Sequence, residues 1–261
     1  MKKAVACYKW VWDDADIRVD EKTRRLDFEK AKQKLSEYDR NAIEAGLAVK
    51  NQAGCEFLGV TCGPEVKASL NDVLSRGPDG LYYVEDPCLT GADSRVTAKV
   101  LAGIIRKIQD VDLVICGEGS SDEYFQQTGA RLAALLGYHS LSCVNRIELL
   151  AQGVKVERKL EDGVETVEVS GPAVISVLPD INDPPIPSLK QILAAKKKPA
   201  VRLGLEDIGL TLEECRPQME LVSTLGPIVE RKRIKMNEEG TSIAEAAGNL
   251  IKRLAAEGII S

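Results

Sequence analysis

The chain has 261 residues, of which 44% are apolar and 29% charged, and these proportions exclude a disordered or collagen-like protein. Its 35 basic and 40 acidic residues leave a net charge of −5, which argues against a general binder of nucleic acid or other polyanions. A single histidine, His139, excludes a histidine-rich metal site and leaves no second histidine for acid–base catalysis.

The seven cysteines are widely spaced, and no Cys-x-x-Cys pair occurs. This pattern argues against a disulfide framework, a zinc site and an iron–sulfur cluster. No apolar run reaches the about 18 residues that a membrane helix requires, and the first residues lack the apolar stretch of a signal peptide. We therefore expect a reduced, cytoplasmic protein that holds no metal and is not inserted in a membrane.

Strand and helix patterns alternate through the first half of the chain. Strands are predicted at residues 4–8, 56–62, 81–84 and 112–116, and helices at 36–50, 66–77, 94–108 and about 124–136. Ser36 and Asp93 or Ser94 are expected as helix caps, Pro64 as a first helical residue, and His139 in a loop. The repeated β–α order predicts an α/β fold with a parallel sheet and helices on both faces.

The pattern changes after residue 150. Alternating residues on either side of Glu161-Asp162-Gly163 predict an antiparallel hairpin, with Asp-Gly as its turn. A further strand at 173–178 precedes an extended loop that contains three prolines within 182–187.

The last 62 residues form a weakly patterned arm. Its final helix is capped by Thr241 or Ser242, carries Ile243, Ala247, Leu250 and Leu254 on one stripe, and ends at Gly258. We predict a nucleotide-binding domain at 1–199 and an arm at 200–261. The arm helix docks either on the chain's own core or on another subunit.

The turn after the fourth predicted strand carries the clearest functional signal. Residues 117–122, Gly-Glu-Gly-Ser-Ser-Asp, join a buried strand to a helix. Such a turn directs backbone N–H groups and a helix N-terminus outward, which favours phosphate. It is neither a Gly-x-Gly-x-x-Gly nor a Walker motif, and a plain turn with Asp122 as the helix cap explains the pattern equally well. Gln126, Gln127 and Thr128 are expected in the first turns of the helix.

Several segments resemble the beta (small) subunit of electron transfer flavoproteins. Gly117-x-x-x-x-Asp122 followed by Gln127-Thr128-Gly129 is similar to the nucleotide-binding signature of that family. Residues 60–64, 38–44 and 182–199 resemble its second strand and turn, its first helix and its signature loop. The turn at 117–120 is similar to that of the Fix-type branch.

The resemblance implies an adenine nucleotide alpha-hydrolase-like fold, a heterodimer with a larger alpha subunit, and FAD or AMP in the small subunit. The nucleotide contacts that it implies are Cys7, Ser36, Glu37, Tyr38, Asp39, Cys62, Gly117, Glu118, Gly119, Ser120, Ser121, Asp122, Gln126, Gln127 and Thr128. It also implies that loop 182–198 recognises an acyl-CoA-type dehydrogenase through Ile186, Leu189 and Ile192. Leu189 is alternatively a core residue of a short helix at 188–195.

The stretch from Asp86 to Thr97 resembles the segment that electron-bifurcating members place around a second flavin. It adds Gly91, Asp93, Ser94 and Thr97 as implied contacts. The bifurcating pattern has Arg after the first Asp and Thr after the second, where this chain has Pro87 and Ser94. The resemblance therefore favours FAD and leaves AMP open.

The implied function is electron transfer between a dehydrogenase or NADH and a flavin, quinone or ferredoxin-type acceptor, with bifurcation left open. We expect no catalytic side chain, because a flavin supplies the redox chemistry. A universal-stress-type nucleotide-binding regulatory module is the alternative from another class. It shares the sheet but does not account for the hairpin, the proline loop or the arm.

Overall fold

The computed structural model describes residues 1–227, 233–236 and 240–260. Its strands are β1 (Lys3–Cys7), β2 (Trp10–Trp12), β3 (Arg18–Val19), β4 (Leu26–Asp27), β5 (Gln33–Leu35), β6 (Glu56–Gly63), β7 (Gly80–Glu85), β8 (Val111–Gly117), β9 (His139–Leu149), β10 (Val154–Leu160), β11 (Gly163–Val169), β12 (Ala173–Val177) and β13 (Ala200–Leu203). Its α-helices are α1 (Glu37–Ala53), α2 (Leu70–Ser75), α3 (Ser94–Ile108), α4 (Thr128–Leu136), α5 (Leu189–Ala195) and α6 (Ile243–Ala256).

A nine-stranded sheet in the order β11-β10-β9-β12-β8-β1-β6-β7-β13 forms the centre of the molecule. Seven neighbouring strands of this sheet, β9-β12-β8-β1-β6-β7-β13, are parallel to one another. The hairpin of β10 and β11 extends the sheet beyond β9 with antiparallel pairing. The chain winds outward from β1 through β6 and β7 and then returns to β8 on the other side of β1. This confirms the predicted α/β fold with a mainly parallel sheet.

Alternating residues of the central strands supply two apolar layers. Ala4, Ala6 and Ile115 pack in the layer that also contains α1 and α2, whereas Val5 and Val114 pack in the layer of α3 and α4. All five side chains are inaccessible to solvent. Burial on both faces explains why β1 and β8 are almost continuously apolar, as expected for parallel strands covered by helices.

Two predicted helix starts are wrong. The helix expected from about residue 124 begins at Thr128, because Tyr124 and Gln126 adopt positive φ angles of 50° and 57° that a right-handed helix does not allow. Gln127 precedes the helix as well, and Asp122 is not its cap. Pro64 is not a first helical residue either, because β6 continues to Gly63 and the first helical turn is a 3-10 turn at Lys67–Ser69.

Strand β9 was not predicted, and His139 begins this strand instead of lying in a loop. His139 pairs with Ala173, and Cys143 has a positive φ of 59° where the register shifts. The buried residues Leu141 and Val144 are therefore three positions apart, so the strand lacks the strict alternation on which the prediction depended. In the β10–β11 hairpin, Leu160 pairs with Gly163, so the two-residue turn is Glu161-Asp162 and not Asp-Gly.

The arm contacts the α/β domain at several points. Residues 200–203 form the edge strand β13, Cys215 is buried, and the backbone N–H of Gln218 donates to Asp93 Oδ2 at 2.8 Å. Further along, the Gly226 N–H donates to the Arg24 carbonyl at 2.8 Å. The domain boundary at residue 199 stays a prediction, and Asn237, where the weakly patterned segment was expected to end, lies outside the described residues.

Helix α6 begins as predicted at Ser242, which forms a capping box with Glu245. It ends next to Gly258, which has a positive φ. No residue of α6 is buried. Among the described residues, no helix is both long enough and apolar enough to cross a membrane.

Asp93 accepts hydrogen bonds both from α3 and from the arm. We expect Asp93→Ser to break the bond to the arm and to keep the cap of α3. One oxygen of Asp93 accepts from Val96 N–H and caps the helix, and the other accepts from Gln218 N–H. Serine can still cap the helix but is too short to reach residue 218. We expect Asp93→Ser to cost about 1 kcal/mol of unfolding free energy and to accelerate cleavage by a glutamate-specific protease after Glu220. Equal cleavage rates in wild type and variant would contradict this role.

Candidate functional site

A cavity of about 360 Å³ opens at the carboxyl ends of β1, β6 and β8. Small-molecule sites typically occupy roughly 300–1,000 Å³. The winding of the sheet reverses between β1 and β8, and an open α/β sheet forms its ligand crevice at such a reversal. The topology and the cavity therefore place a candidate site at the same edge of the sheet.

Most nucleotide contacts expected from the sequence line this cavity: Cys7, Asp39, Cys62, Gly91, Ser94, Thr97, Gly117, Glu118, Gly119, Ser120, Asp122, Gln126, Gln127 and Thr128. Ser36, Glu37, Tyr38, Asp93 and Ser121 do not line it. The structure thus brings together segments from five separate parts of the chain. Their contact with a nucleotide stays a prediction.

Backbone amides supply the hydrogen-bond donors of the turn after β8. The N–H groups of Gly119, Ser120 and Asp122 donate to no group within the described residues, and all three residues line the cavity. The neighbouring amides are engaged, since Glu118 N–H donates to the Val177 carbonyl at 3.0 Å and Ser121 N–H donates to Ser36 Oγ at 3.3 Å. A turn that holds some amides and leaves others free is suited to an anion.

The N-terminus of α4 faces the same cavity. Gln127, Thr128 and Gly129 line the wall, and Gln127 makes no side-chain cap. The Gln127 Oε1 is instead occupied by the Ser94 hydroxyl at 2.9 Å and by the Arg131 guanidinium at 3.0 Å. The first amides of α4 and the partial positive charge of the helix end are therefore directed at the cavity, as in known phosphate sites.

Lys9 places a cation beside this turn. Its Nζ lies 2.7 Å from Asp122 Oδ2 and 2.9 Å from Glu123 Oε2. Burial alone would lower the pKa of Lys9, but the two carboxylates raise it overall, and Lys9 in turn holds the pKa of Asp122 below its usual value against the effect of burial. Lys9 thus offsets part of the negative charge of the turn. The sequence placed Lys9 at a strand end but gave no sign of this ion pair.

The side chains at the start of α1 accept hydrogen bonds from other segments and not from the first amides of α1. Ser36 was expected to cap α1 with its side chain, yet it makes no such bond, and its hydroxyl accepts from Ser121 N–H. The Asp39 carboxylate accepts from Lys9 N–H at 2.8 Å and from Gly117 N–H at 3.3 Å. Both residues therefore bind backbone amides of neighbouring strand ends.

Burial raises the pKa of Asp39 to about 7, although the Lys9 and Gly117 amides and the Ser36 hydroxyl oppose this shift. An unfolded aspartate titrates near about 3.9, so the folded chain holds an extra proton between these two pH values. The stability that this proton contributes is complete below pH about 4 and is lost as the pH rises to about 7. We expect the wild-type free energy of unfolding, relative to Asp39→Asn, to fall across this window and to stay level above it. Urea unfolding of both proteins from pH 4.5 to 8.5 measures the difference, and a pH-independent difference would contradict the assignment.

A second part of the cavity wall comes from an insertion that the sequence patterns did not reveal. Strands β2 and β5 form a small antiparallel sheet, and Trp10, Trp12 and Gln33 of this sheet line the cavity. Val66 and Leu89 add apolar surface. The cavity therefore combines a polar end at the turn after β8 with apolar and aromatic walls, which suits a ligand with a phosphate and a flat ring.

The cavity thiols are poor nucleophiles. Burial raises the pKa of Cys62 to about 12, and a hydrogen bond with Cys116 together with burial raises the pKa of Cys7. Both therefore remain protonated near neutral pH. Within the part of the chain that is described, no group of three or more His, Cys, Asp or Glu side chains is arranged to hold a metal ion.

The expected partner-recognition residues lie on the loop after β12 and on α5. Asn41 Nδ2 of α1 donates to the Pro179 and Asn182 carbonyls at 2.9 and 2.8 Å and so fixes the start of the proline loop. Ile186 is 94% exposed and Leu189 71% exposed, and Ile192 is partly buried. The alternative that Leu189 is a core residue is therefore wrong.

The comparison with protein families gives the match that decides the family. The model described as "Electron transfer flavoprotein domain" matches residues 25–208, more than two thirds of the chain. The chain belongs to the electron transfer flavoprotein family. The matched range contains α1, β6, β8 and the whole turn after β8, whereas β1 and Lys9 precede it.

The site of this electron transfer flavoprotein family member fits a flavin or adenine nucleotide. A Cβ on Gly117 would lie 2.8 Å from Asp39 Oδ1 and 2.9 Å from the Tyr38 backbone carbon, so this position requires glycine, whereas a Cβ on Gly119 would lie 2.5 Å from the ring of Tyr124, a side chain that can move. The free amides, the N-terminus of α4 and Lys9 can bind phosphate, and the apolar walls can bind a ring. The electron-transport and flavoprotein character of the family thus agrees with the donors present at the sheet edge.

Proposed function

We propose that the chain is the small (beta) subunit of a heterodimeric electron transfer flavoprotein of the Fix-type branch. In this proposal the cavity holds FAD, with its phosphates at the turn after β8. The observation that carries it is the free amides of Gly119, Ser120 and Asp122 at one end of a cavity whose other walls are apolar. When bound, FAD supplies the electron chemistry, and the chain binds it, orients it and excludes water.

The segment after β7 supports FAD over AMP. Gly91, Ser94 and Thr97 line the cavity. Thr97 has a hydroxyl group for a ring that extends beyond the adenine nucleotide, and the Ser94 hydroxyl, which donates to Gln127 Oε1, can accept a hydrogen bond from it. Asp93 caps α3 and fixes the position of Ser94. The pattern of the electron-bifurcating members has an Arg where Pro87 stands in this chain. Arg202 of β13 brings a guanidinium to the same strand end, where it donates to the Glu85 carbonyl at 2.9 Å.

AMP is the second candidate. Pro87 favours AMP because this proline stands where the bifurcating pattern has an arginine, so the cation expected beside a second flavin is missing. In that case the chain is a carrier subunit with a structural nucleotide, and the partner holds the only flavin. With FAD in both subunits, the pair is suited to electron bifurcation, with NAD(H) as a donor or acceptor at the second flavin.

The exposed apolar residues support a heterodimer. In this proposal the apolar stripe of α6 binds the larger alpha subunit. Ile186, Leu189 and Ile192 bind a dehydrogenase of the acyl-CoA type. The dehydrogenase or NADH would donate electrons, and a flavin, quinone or ferredoxin-type protein would accept them. Cytoplasmic localisation is part of the same proposal.

The test is to purify the chain with its partner, release the nucleotides by denaturation and quantify FAD and AMP per heterodimer. Two FAD molecules support the bifurcating form, and one FAD with one AMP supports the carrier form. A homodimer that binds ATP and contains no flavin would overturn both and favour the universal-stress-type module.

A further inference from the structure

The turn after β8 is held at its two ends by the first turn of α1. At one end, the Ser121 N–H donates to Ser36 Oγ at 3.3 Å, and the Glu37 N–H donates to Ser121 Oγ at 3.4 Å. At the other end, the Gly117 N–H donates to Asp39 Oδ1 at 3.3 Å. Two of the three free amides, those of Gly119 and Ser120, lie between these two points, and that of Asp122 follows directly after Ser121.

Asp39 also reaches across the reversal of the sheet. Its second oxygen accepts from the Lys9 N–H at 2.8 Å, and Lys9 follows β1, whereas Gly117 ends β8. One buried carboxylate therefore joins the ends of the two strands between which the ligand crevice forms. Two bonds to one buried side chain restrict the geometry, and above pH about 7, where Asp39 is ionised, they are charge-assisted and therefore stronger than neutral ones.

A carboxylate is badly suited to touch a phosphate, because like charges repel in a partly buried site. The charged groups facing Asp39 are few: Lys9 is the nearby cation, and the thiol of Cys7 and the hydroxyl of Ser36 are neutral neighbours. Both carboxyl oxygens of Asp39 already accept hydrogen bonds, one from the Lys9 amide and the other from the Gly117 amide. Its arrangement serves the backbone of the site and not the ligand.

We propose that Asp39 is a positioning residue that holds the ends of β1 and β8 at the spacing in which the free amides of the turn meet a phosphate, without touching the ligand itself. This inference rests on the proposed function, because it concerns how the nucleotide is held. It differs from the expectation that Asp39 contacts the nucleotide directly, and the experiment below distinguishes the two roles.

The role predicts which part of a nucleotide is affected by substitution. If Asp39 holds only the phosphate donors, its loss weakens the binding of AMP and leaves the binding of adenosine unchanged. If Asp39 supports the whole cavity, or contacts the ribose or the ring, both ligands lose affinity alike. General destabilisation would change both affinities alike, so the ratio of the AMP and adenosine affinities reports on the positioning role alone.

The experiment measures dissociation constants of AMP and adenosine for the full chain with its partner, after removal of bound nucleotide. Wild type, Asp39→Ala and Asp39→Asn are compared, and thermal unfolding checks that each variant is folded. We expect Asp39→Ala to weaken AMP binding by about 10- to 100-fold, the effect of losing charge-assisted hydrogen bonds, with adenosine within twofold of wild type. Asp39→Asn keeps one acceptor oxygen and should therefore lose less affinity for AMP than Asp39→Ala.

Asp162→Asn is the matched control, since it removes a carboxylate in the exposed turn of the β10–β11 hairpin. Asp162→Asn should leave the dissociation constants of both AMP and adenosine unchanged. Equal losses for AMP and adenosine in Asp39→Ala, or no loss for AMP, would overturn the positioning role. A wild-type complex that binds AMP no better than adenosine would instead overturn the proposed nucleotide site, so the two failures are distinguishable.

Discussion

Replacement of Gly117 with alanine is expected to abolish nucleotide retention while the sheet still folds. The new Cβ would lie 2.8 Å from Asp39 Oδ1 and from Tyr38 Cβ, and 2.9 Å from the Tyr38 backbone carbon. A backbone atom cannot yield as the end of a flexible side chain does, so the turn must move away from α1. The Gly117–Asp39 bond and the position of the free amides are lost together. We expect AMP and FAD to bind on the order of 100-fold more weakly, about 2.7 kcal/mol.

Two further glycines provide the controls for this substitution. A Cβ on Gly119 would meet the Tyr124 ring at 2.5 Å, and that side chain can move, so Gly119→Ala should weaken binding less than Gly117→Ala. A Cβ on Gly163, in the distant hairpin, would meet nothing within 4 Å, so Gly163→Ala should leave binding unchanged. Nucleotide content and dissociation constants of the purified variants test the series. Retention of nucleotide by Gly117→Ala within twofold of wild type would contradict the site.

Two aspartates on the apolar stripe of α6 are expected to prevent assembly with the partner subunit. Ile243 is 90% exposed, Leu250 is partly exposed, and no residue of α6 is buried in the chain's own core. Burial of such side chains contributes about 1.5–3 kcal/mol each, whereas burial of an unpaired carboxylate is strongly unfavourable. We expect Ile243→Asp with Leu250→Asp to weaken heterodimer formation by about 1,000-fold or more.

The same double variant should leave the isolated chain as stable as wild type, within about 0.5 kcal/mol, because exposed substitutions rarely have larger effects. Asn249→Asp with Lys252→Gln changes the net charge equally but lies on the polar side of α6, and it should assemble normally. Analytical ultracentrifugation of mixtures with the partner measures both pairs. Normal assembly of the Ile243→Asp, Leu250→Asp chain would show that α6 is not the docking element.

The parallel sheet was predictable because burial on both faces leaves a local signature. Residues 112–116 are nearly all apolar, and the structure places them in β8 at the centre of the sheet. Helix caps were predictable where they depend on nearby backbone, as at Asp93 and Ser242, both of which accept an amide three residues later. Since the carboxyl ends of parallel strands meet at one edge, most of the expected site residues line one cavity there, and their contact with a nucleotide stays a prediction.

The details that depend on distant contacts were not predictable. Tyr124 stacks on Tyr38 with ring centroids 5.1 Å apart and has a positive φ, so the helix begins four residues later than its apolar pattern suggests. Ser36 has the local sequence of a helix cap, yet its hydroxyl accepts from Ser121, 85 residues away along the chain. Trp10 and Trp12 enter the cavity wall because β2 pairs with β5, from which 20 residues separate it along the chain. In each case a tertiary contact overrides the local pattern.

We propose that this chain holds a nucleotide at the carboxyl ends of β1, β6 and β8, and a crystal structure of the purified complex with its partner subunit is the decisive test. We expect a nucleotide whose phosphate accepts hydrogen bonds from the backbone amides of Gly119 and Ser120, with Asp39 bound to Lys9 and Gly117 and not to the ligand. A complex in which every nucleotide is bound by the partner alone, or in which the phosphate lies away from the turn after β8, would contradict it.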